Sequence, residues 1–404
     1  VICAICSQDL YQLSVDHRQA HYDRHFGEEL SSPNSPGPSK PKSRRFSPNK
    51  LFSSAKWQLK ENDVFWYPTK RQRIPKNFVP GLIPVLKRAL LKSHARGETR
   101  KAALCYDQAV LIRQEKWDMG WGCGYRNFLM ACACLMVQPF QPMYFPLLDS
   151  PTTPSIRNLQ TWIEDAWGKG FDREGQKQLK TLVGTRRWIG TADLYVAFSS
   201  RGIPSQLFDF TDVSNAQIVM DWIVNYFTPQ VPGTLKNAFE ELKSATPVTC
   251  TEKMPLILQH AGHSRTIVGY EITKQGIVNL LQFESGMIIS GELQQLALSQ
   301  HPQAEASPAD DEVEIVSETL QIPDSDDEII ITGYKPSKRV NKPTNASSLD
   351  SKTFDHQAII RPFRLGTKKL GTKNQYQILA FPLTDPLSEK DMQRCKVVKS
   401  TKIC

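Results

Sequence analysis

The sequence has no apolar run of the ~18 residues that a membrane-crossing helix requires. No secretory signal peptide is visible, although the chain opens on Val1 rather than Met, which leaves the completeness of its N-terminus open. Nine cysteines, an odd number without disulfide-like spacing, argue against a disulfide-stapled scaffold. They fit a reducing compartment in which cysteine serves metals or catalysis, and nucleus and cytoplasm are the expected locations. Residues 275–334 contain no Lys or Arg at all, whereas residues 27–80 hold eleven against four Asp/Glu. The formal net charge of +9 therefore describes no single domain. Weak nucleic-acid contact is conceivable only for the basic part, which a solvated linker or an import signal explains as well.

What is present is concentrated around one cysteine. Trp117-Asp118-Met119-Gly120-Trp121-Gly122-Cys123-Gly124-Tyr125-Arg126-Asn127 leads into a small, apolar run that contains Cys132 and Cys134. Glycines let backbone approach a ligand closely. A cysteine that opens a helix sits among unpaired N–H groups and the positive end of the dipole, which favours the reactive thiolate. Cys123 reads as a nucleophile, with a buried structural cysteine as the alternative; Cys132 and Cys134 read as structural. Trp121, Gly122, Gly124 and Tyr125 are expected to face substrate, and Asp193 is counted with them.

The chain divides into three parts. Residues 1–30 hold Cys3-Ala4-Ile5-Cys6 and three histidines four apart, His17, His21 and His25, on one helix face. Two thiolates and two imidazoles suit tetrahedral Zn2+. The histidine pair is His17/His21 or His21/His25, and Cys3, Cys6, His21 and His25 is the preferred set. The helix carries Asp16, Asp23, Glu28 and Glu29, which opposes phosphate contact and favours a protein partner. Residues 31–80 are a basic Pro/Ser-rich linker, with Lys40, Lys42, Arg44 and Arg45 a candidate import signal or a plain tether.

From residue 81 a folded domain is expected to run to residue 404. Its first segment, about 81–105, starts with helical spacing from Leu82, and Gly97 ends the helix or separates it from the next segment. Helices are predicted at 156–167, with Leu159, Trp162, Ile163 and Ala166 on one face, at 214–227, at 234–243 and after Trp188, the last capped by Thr191. Strands are predicted at 255–260, 264–272 and 277–283, and Gln375–Leu383 is expected to close the same sheet. Residues 299–352 read as an acidic, disordered insertion between strands. Within it, Val313–Val316 and Ile329–Ile331 beside acidic residues resemble SUMO-interacting motifs at 310–332, or are incidental strand or linker.

A nucleophilic cysteine needs a base and a group to orient that base. Of eight histidines, His260 and His263 stand in the best setting, Gln259-His260-Ala261-Gly262-His263-Ser264-Arg265-Thr266, and His263 is preferred because it begins a strand after a glycine. His260 is left to pack or support. His94 and His301 read as surface or poorly structured, and His356 as a loop residue beside Asp355. If 264–272 and 277–283 form a hairpin, Glu284 meets His263 at its open end. Gln114 is the candidate oxyanion donor with the Cys123 N–H, or an exposed loop glutamine.

Asp118–Asn127 together with Gly262-His263-Ser264-Arg265-Thr266-Ile267-Val268-Gly269 resembles the papain-like peptidases specific for ubiquitin-fold modifier, in their ZUFSP-type zinc-finger branch. The resemblance covers most of residues 82–300. It implies an α+β, papain-like cysteine peptidase in which helices pack on a central, mostly antiparallel sheet, preceded by a small ubiquitin-binding zinc finger with structural Zn2+ and no catalytic cofactor. It further implies hydrolysis of isopeptide bonds in polyubiquitin with preference for lysine-63 linkage, a role in the DNA damage response, and a helical arm at about 81–105 that helps hold ubiquitin. The chain lacks the Asp-Pro-His motif of the modifier-specific branch, and it has Glu284-Ser285 where the ubiquitin branch has Asp-Pro. A protease for ubiquitin-fold modifier and a non-catalytic ubiquitin/SUMO-binding adaptor remain as other readings.

Overall fold

The glycine-bounded apolar runs between Pro255 and Phe283 form the middle of a nine-stranded, mostly antiparallel sheet with helices packed on it. The structure, a computed structural model, describes residues 63–211, 216–229, 246–301, 355–371 and 373–403. The zinc-finger residues Cys3, Cys6, His17, His21 and His25, the linker up to residue 62, the helix expected at 234–243 and the segment 310–332 lie outside the described residues.

In chain order the strands are β1 (Phe78–Val79), β2 (Thr99–Leu104), β3 (Leu111–Ile112), β4 (Gln206–Phe210), β5 (Val248–Cys250) and β6 (Leu256–His260). They continue with β7 (His263–Thr273), β8 (Val278–Phe283), β9 (Arg364–Gly366), β10 (Tyr376–Ala380) and β11 (Ser400–Ile403). The longer helices are α1 (Leu82–Ala95), α2 (Cys123–Leu135), α3 (Tyr144–Asp149), α4 (Ile156–Gly168), α5 (Arg173–Leu179) and α6 (Thr191–Ser199). After them come α7 (Gln217–Phe227), α8 (Gly291–Leu298), α9 (His356–Ile360), α10 (Thr367–Leu370) and α11 (Glu389–Arg394). The sheet runs β11-β4-β10-β6-β7-β2-β5, while β1 and β3 pair by themselves.

β7 organises this sheet. Its first half, from His263 to Ile267, pairs with β6, and its second half, from Gly269 to Thr273, pairs with β2. Those two spans do not overlap, so β6 and β2 share one edge and β8, which pairs along both halves, takes the other. The switch falls at Gly269, where a Cβ would lie 2.1 Å from the Ala103 carbonyl oxygen; only glycine lets the strands approach so closely. At the other end, Ala261-Gly262 turns the chain between β6 and β7, with Gly262 at φ 82° in the left-handed region.

Helix α1 follows the apolar spacing of its sequence and buries Leu82, Ile83, Val85, Leu86, Ala89 and Leu90. Full burial of a Leu or Ile side chain is worth about 1.5–3 kcal/mol each. Gly97 at φ 74° ends it, with the Gly97 N–H bonded to the His94 carbonyl at 2.8 Å and Glu98 N–H to Ser93 at 3.0 Å. The helical arm expected at about 81–105 is therefore corrected: the helix stops at Ala95, and 99–104 is a sheet strand. Its apolar face is used within the domain, against β2, β5, α8 and α9.

Helix α4 presents the expected buried face, Leu159, Trp162, Ile163 and Ala166. Thr191 does not cap the next helix. Gly190 stands at that position, its N–H bonded to the Asp193 carboxylate at 2.8 Å, while the Thr191 hydroxyl bonds Gln259 on β6 at 2.8 Å. β10 also departs from expectation. It lies between β4 and β6 rather than at the margin, with Ile378 and Leu379 fully buried, and the exposed β11 takes the edge. The described chain leaves at His301 and returns at Asp355, and elements on both sides of that gap belong to one domain. The return is fastened by Arg364, whose guanidinium makes two bonds of 2.6 and 2.8 Å to the fully buried Glu271 carboxylate.

Candidate active site

Cys123 is the first residue of α2, and this helix packs against β7. Its first-turn N–H groups have no partner within the helix, and the dipole places partial positive charge there. The chain reaches this point through a loop held by a buried ion pair. Arg126 Nε lies 2.6 Å from Asp118 Oδ2 and Nη2 lies 3.0 Å from Oδ1, with both side chains nearly inaccessible. Glu115 joins them at 3.2 Å through Nη2, and the Asp118 carboxylate also accepts the Glu115 N–H at 2.6 Å.

A second buried link joins the cysteine helix to the histidine strand. Asn127 Nδ2 donates to Ser264 Oγ at 2.9 Å, and the Thr266 hydroxyl donates to Asn127 Oδ1 at 3.0 Å. Ser264 in turn offers its backbone N–H and its hydroxyl to the Cys123 sulfur. Sequence reading missed all of these positioning residues. The available signal was polar and charged side chains, Arg126 and Asn127, inside an otherwise apolar helix.

Cys123, His263 and Glu284 come together at one end of the sheet. The His263 imidazole hydrogen-bonds the Cys123 thiol, and its Nε2 lies 2.6 Å from Glu284 Oε1. This second contact is short but off the N–H axis, a close charge contact rather than an aligned hydrogen bond. Burial raises the Cys123 pKa, but the bond and charge of His263 and the donors on Ser264 outweigh it, and the thiol falls below its ordinary value. Burial opposes the imidazolium too, yet Cys123 and Glu284 together lift His263 to about 9. Glu284 falls to about 2: its burial is overcome by His263, Arg265 and Lys369. Such opposed shifts favour the thiolate–imidazolium form of the pair. His260, pushed down to about 3 by burial and the charges of Arg265 and His263, stays neutral. It cannot share the proton.

Gln114 lies beside the acid. Its N–H bonds the Ser285 carbonyl at 2.8 Å, and its side-chain amide borders Gly286. The other histidines are engaged elsewhere. His94 Nδ1 contacts the Thr99 carbonyl at 2.9 Å, His301 is buried against Trp66, and His356, also buried, meets Glu98 at 2.7 Å.

The substrate-facing expectation for the motif's glycines and aromatics needs correction. Trp121 and Tyr125 are buried, stacked edge-on at 5.2 Å between ring centres, and the Tyr125 hydroxyl bonds the Arg187 carbonyl. A Cβ on Gly122 would lie 2.3 Å from the Asp118 carboxylate, and one on Gly124 would lie 2.6 Å from the Ile189 carbonyl. These glycines serve close packing inside the protein. Asp193 caps α6 and is raised to about 6, chiefly by burial.

Residues 97–310, just over half of the chain, match the profile of Peptidase family C78. The chain is 38% identical over 184 residues to Zinc finger-containing ubiquitin peptidase 1 of Mus musculus and 36% identical to that of Homo sapiens; the matched stretch covers 44% of this chain. It spans only 29% of the length of each of those relatives. Over 154 residues, 38% of this chain and 56% of the relative, it is 33% identical to Ubiquitin carboxyl-terminal hydrolase mug105 of Schizosaccharomyces pombe. A crystal structure of UfSP from C. elegans aligns over 55% of this chain and 33% of that one, at 12% identity and a TM-score of 0.31, too remote to bear on the fold. With its cysteine helix and its histidine strand inside the matched stretch, this chain belongs to peptidase family C78.

Proposed function

We propose that this chain is a cysteine peptidase that hydrolyses the bond after the C-terminal glycine of ubiquitin, including isopeptide bonds within polyubiquitin. The observation that carries the reading is the contact of Cys123 with His263 and of His263 with Glu284 at 2.6 Å. The Cys123 thiolate attacks the carbonyl carbon, and its electron pair forms the C–S bond as the carbonyl oxygen takes the negative charge. The Cys123 N–H and the Gln114 amide stabilise that oxygen, a contribution typically worth about 10²–10³ in turnover per donor. The His263 imidazolium gives its proton to the departing lysine amine, the C–N bond breaks, and a thioester remains. His263, now neutral, takes a proton from water, whose oxygen displaces the thiolate and regenerates the pair. Glu284 holds the imidazole and stabilises its charged form.

The names of the relatives in mouse, man and fission yeast, each a ubiquitin peptidase or hydrolase, support ubiquitin as the modifier. Cys3, Cys6, His21 and His25 would hold one structural Zn2+, since two thiolates and two imidazoles are the donor set that ion prefers. The finger they form would bind ubiquitin and, by engaging a second unit of a chain, favour lysine-63-linked polymers. A SUMO contact through 310–332 and residence in nucleus and cytoplasm, with a role in the DNA damage response, complete the proposal.

The test uses a ubiquitin propargylamide probe on the full chain. Labelling of wild type and none of Cys123→Ala is expected; labelling that persists without Cys123 refutes the assignment. The same probe built on ubiquitin-fold modifier separates the two modifiers. Cleavage of chains of defined linkage, with and without residues 1–30, tests the finger.

A further inference from the structure

Arg265, a charged residue of β7 beside His263, has no task in the catalytic scheme. Two residues after His263 on β7, it shares that residue's side of the strand. Its Nη2 lies 3.2 Å from His260 Nε2, across the ladder on β6, and its Nη1 lies 3.3 Å from Gln282 Oε1 on β8. Nε is inaccessible and has no hydrogen-bond partner. The last rung of the β7–β8 ladder pairs Thr266 with Phe283. One step further along the antiparallel register sets Arg265 opposite Glu284.

We propose that Arg265 is a positioning residue: opposite Glu284 in the β7–β8 register and anchored by His260 and Gln282, it keeps a fixed cation beside the carboxylate that contacts His263. This rests on the peptidase reading of Cys123 and His263, and it adds a fourth charge to that site. Thiolate and carboxylate are balanced by imidazolium and guanidinium, so the cluster is neutral as a whole. Taking four charges partly out of water is tolerable only when they compensate one another. A guanidinium suits this place because it stays charged at every working pH and directs several donors in fixed directions. It also offers a reason why glutamate serves here. A carboxylate on a longer side chain has more rotamers to choose from, and a fixed cation facing it selects one.

The neighbouring charges are few. Arg265 is faced by His260 from β6, by Glu284 from the end of β8, by Cys123 from α2 and by Tyr376 from β10. Glu284 is faced by His263 and Arg265 and, from the exposed side, by Lys369 of α10; His260 is faced in addition by Lys373. The Tyr376 hydroxyl donates to the Leu370 carbonyl. Arg265 thus supplies a half-buried positive charge near Glu284 and Cys123, besides that of His263.

The experiment measures alkylation of Cys123 by iodoacetamide against pH, followed by peptide mass spectrometry on the full chain, so that no assumption about the modifier enters. Turnover of a fluorogenic ubiquitin C-terminal amide is measured alongside. In Arg265→Gln the acid limb of alkylation is expected to move up by roughly one pH unit, and kcat to fall with little change in KM. Arg265→Lys keeps the charge without the fork; its limb is expected to stay near that of wild type while kcat still drops. An Arg265→Gln limb that coincides with wild type overturns the proposal. If that variant does not fold, Arg265→Lys decides alone, and a wild-type kcat in it overturns the proposal. Failure of the underlying reading looks different: wild-type Cys123 itself would alkylate with the profile of an ordinary thiol.

Discussion

Asn127 on α2 and Ser264 on β7, 137 residues apart in sequence, are joined by a buried hydrogen bond of 2.9 Å. That bond and its companion from Thr266 set the distance between the nucleophile's helix and the base's strand. Asn127→Ala leaves two buried hydroxyls short of a partner, and such orphaned groups cost about 1–3 kcal/mol. The expected outcome is a lower urea midpoint together with reduced probe labelling per folded molecule. Unchanged stability would show that no such latch operates.

The opposed shifts at Cys123 and His263 fix the direction of the pH dependence. The thiolate is present above a pKa that lies below the ordinary thiol value, and the imidazolium persists up to about 9. Activity therefore requires a pH between the two, and kcat/KM is expected to fall on the acid side as the sulfur gains a proton. It falls again above about pH 9 as His263 loses its own. Glu284, at about 2, contributes no limb in the working range. A bell measured with a fluorogenic ubiquitin amide checks this; a single rising limb with an ordinary thiol pKa contradicts it.

Gly124→Ala places a methyl group against a backbone carbonyl that cannot move independently, at 2.6 Å. Overpacking of this kind costs about 1–3 kcal/mol. The Cys123 end of α2 is expected to shift away from Ile189, which lowers both melting temperature and Cys123 reactivity. Circular dichroism melts and alkylation rates of the variant would show the two losses together.

Arg126→Met removes the cation paired with Asp118, which has no exposure of its own. Breaking a buried pair on one side typically costs about 3–5 kcal/mol. The expected variant is strongly destabilised in urea unfolding. A loss under about 1 kcal/mol would mean that water reaches Asp118 once the guanidinium is gone.

The three residues that meet at the end of the sheet were legible because each carries its chemistry in its type and setting. Cys123 opens a helix between glycines, His263 follows a turn glycine at a strand start, and Glu284 ends the partner strand. Their supporting residues were not legible, since Asn127 and Ser264 acquire partners only when α2 meets β7, and Asp118 and Arg126 only when the preceding loop folds back on α2. Trp121 and Tyr125 misled for a related reason: an aromatic beside a nucleophile looks the same in sequence whether it lines a groove or fills the core behind it. The strand at 376–380 was found from its β-branched and leucine content, but a local pattern says nothing about rank within a sheet. Its inner place depends on β4, which pairs along its second side and has no counterpart among the expected strands. Thr191 shows the limit at the scale of a single turn, where a helix start shifted by one residue turned a supposed cap into a tie to Gln259.

The separation of 137 residues across the Asn127–Ser264 bond also bears on folding. Contacts this distant form only after a large loop has been closed, and helix α2 gains most of its local bonds before then. A chain that has made α2 but not the β6–β7–β8 ladder carries an unactivated cysteine, with no imidazole beside it and no hydroxyl from Ser264. Nucleophilicity at Cys123 is thus acquired with the finished sheet. Incomplete or nascent chains stay chemically quiet, and the alkylation rate of this one thiol becomes a gauge of how much of the protein has folded.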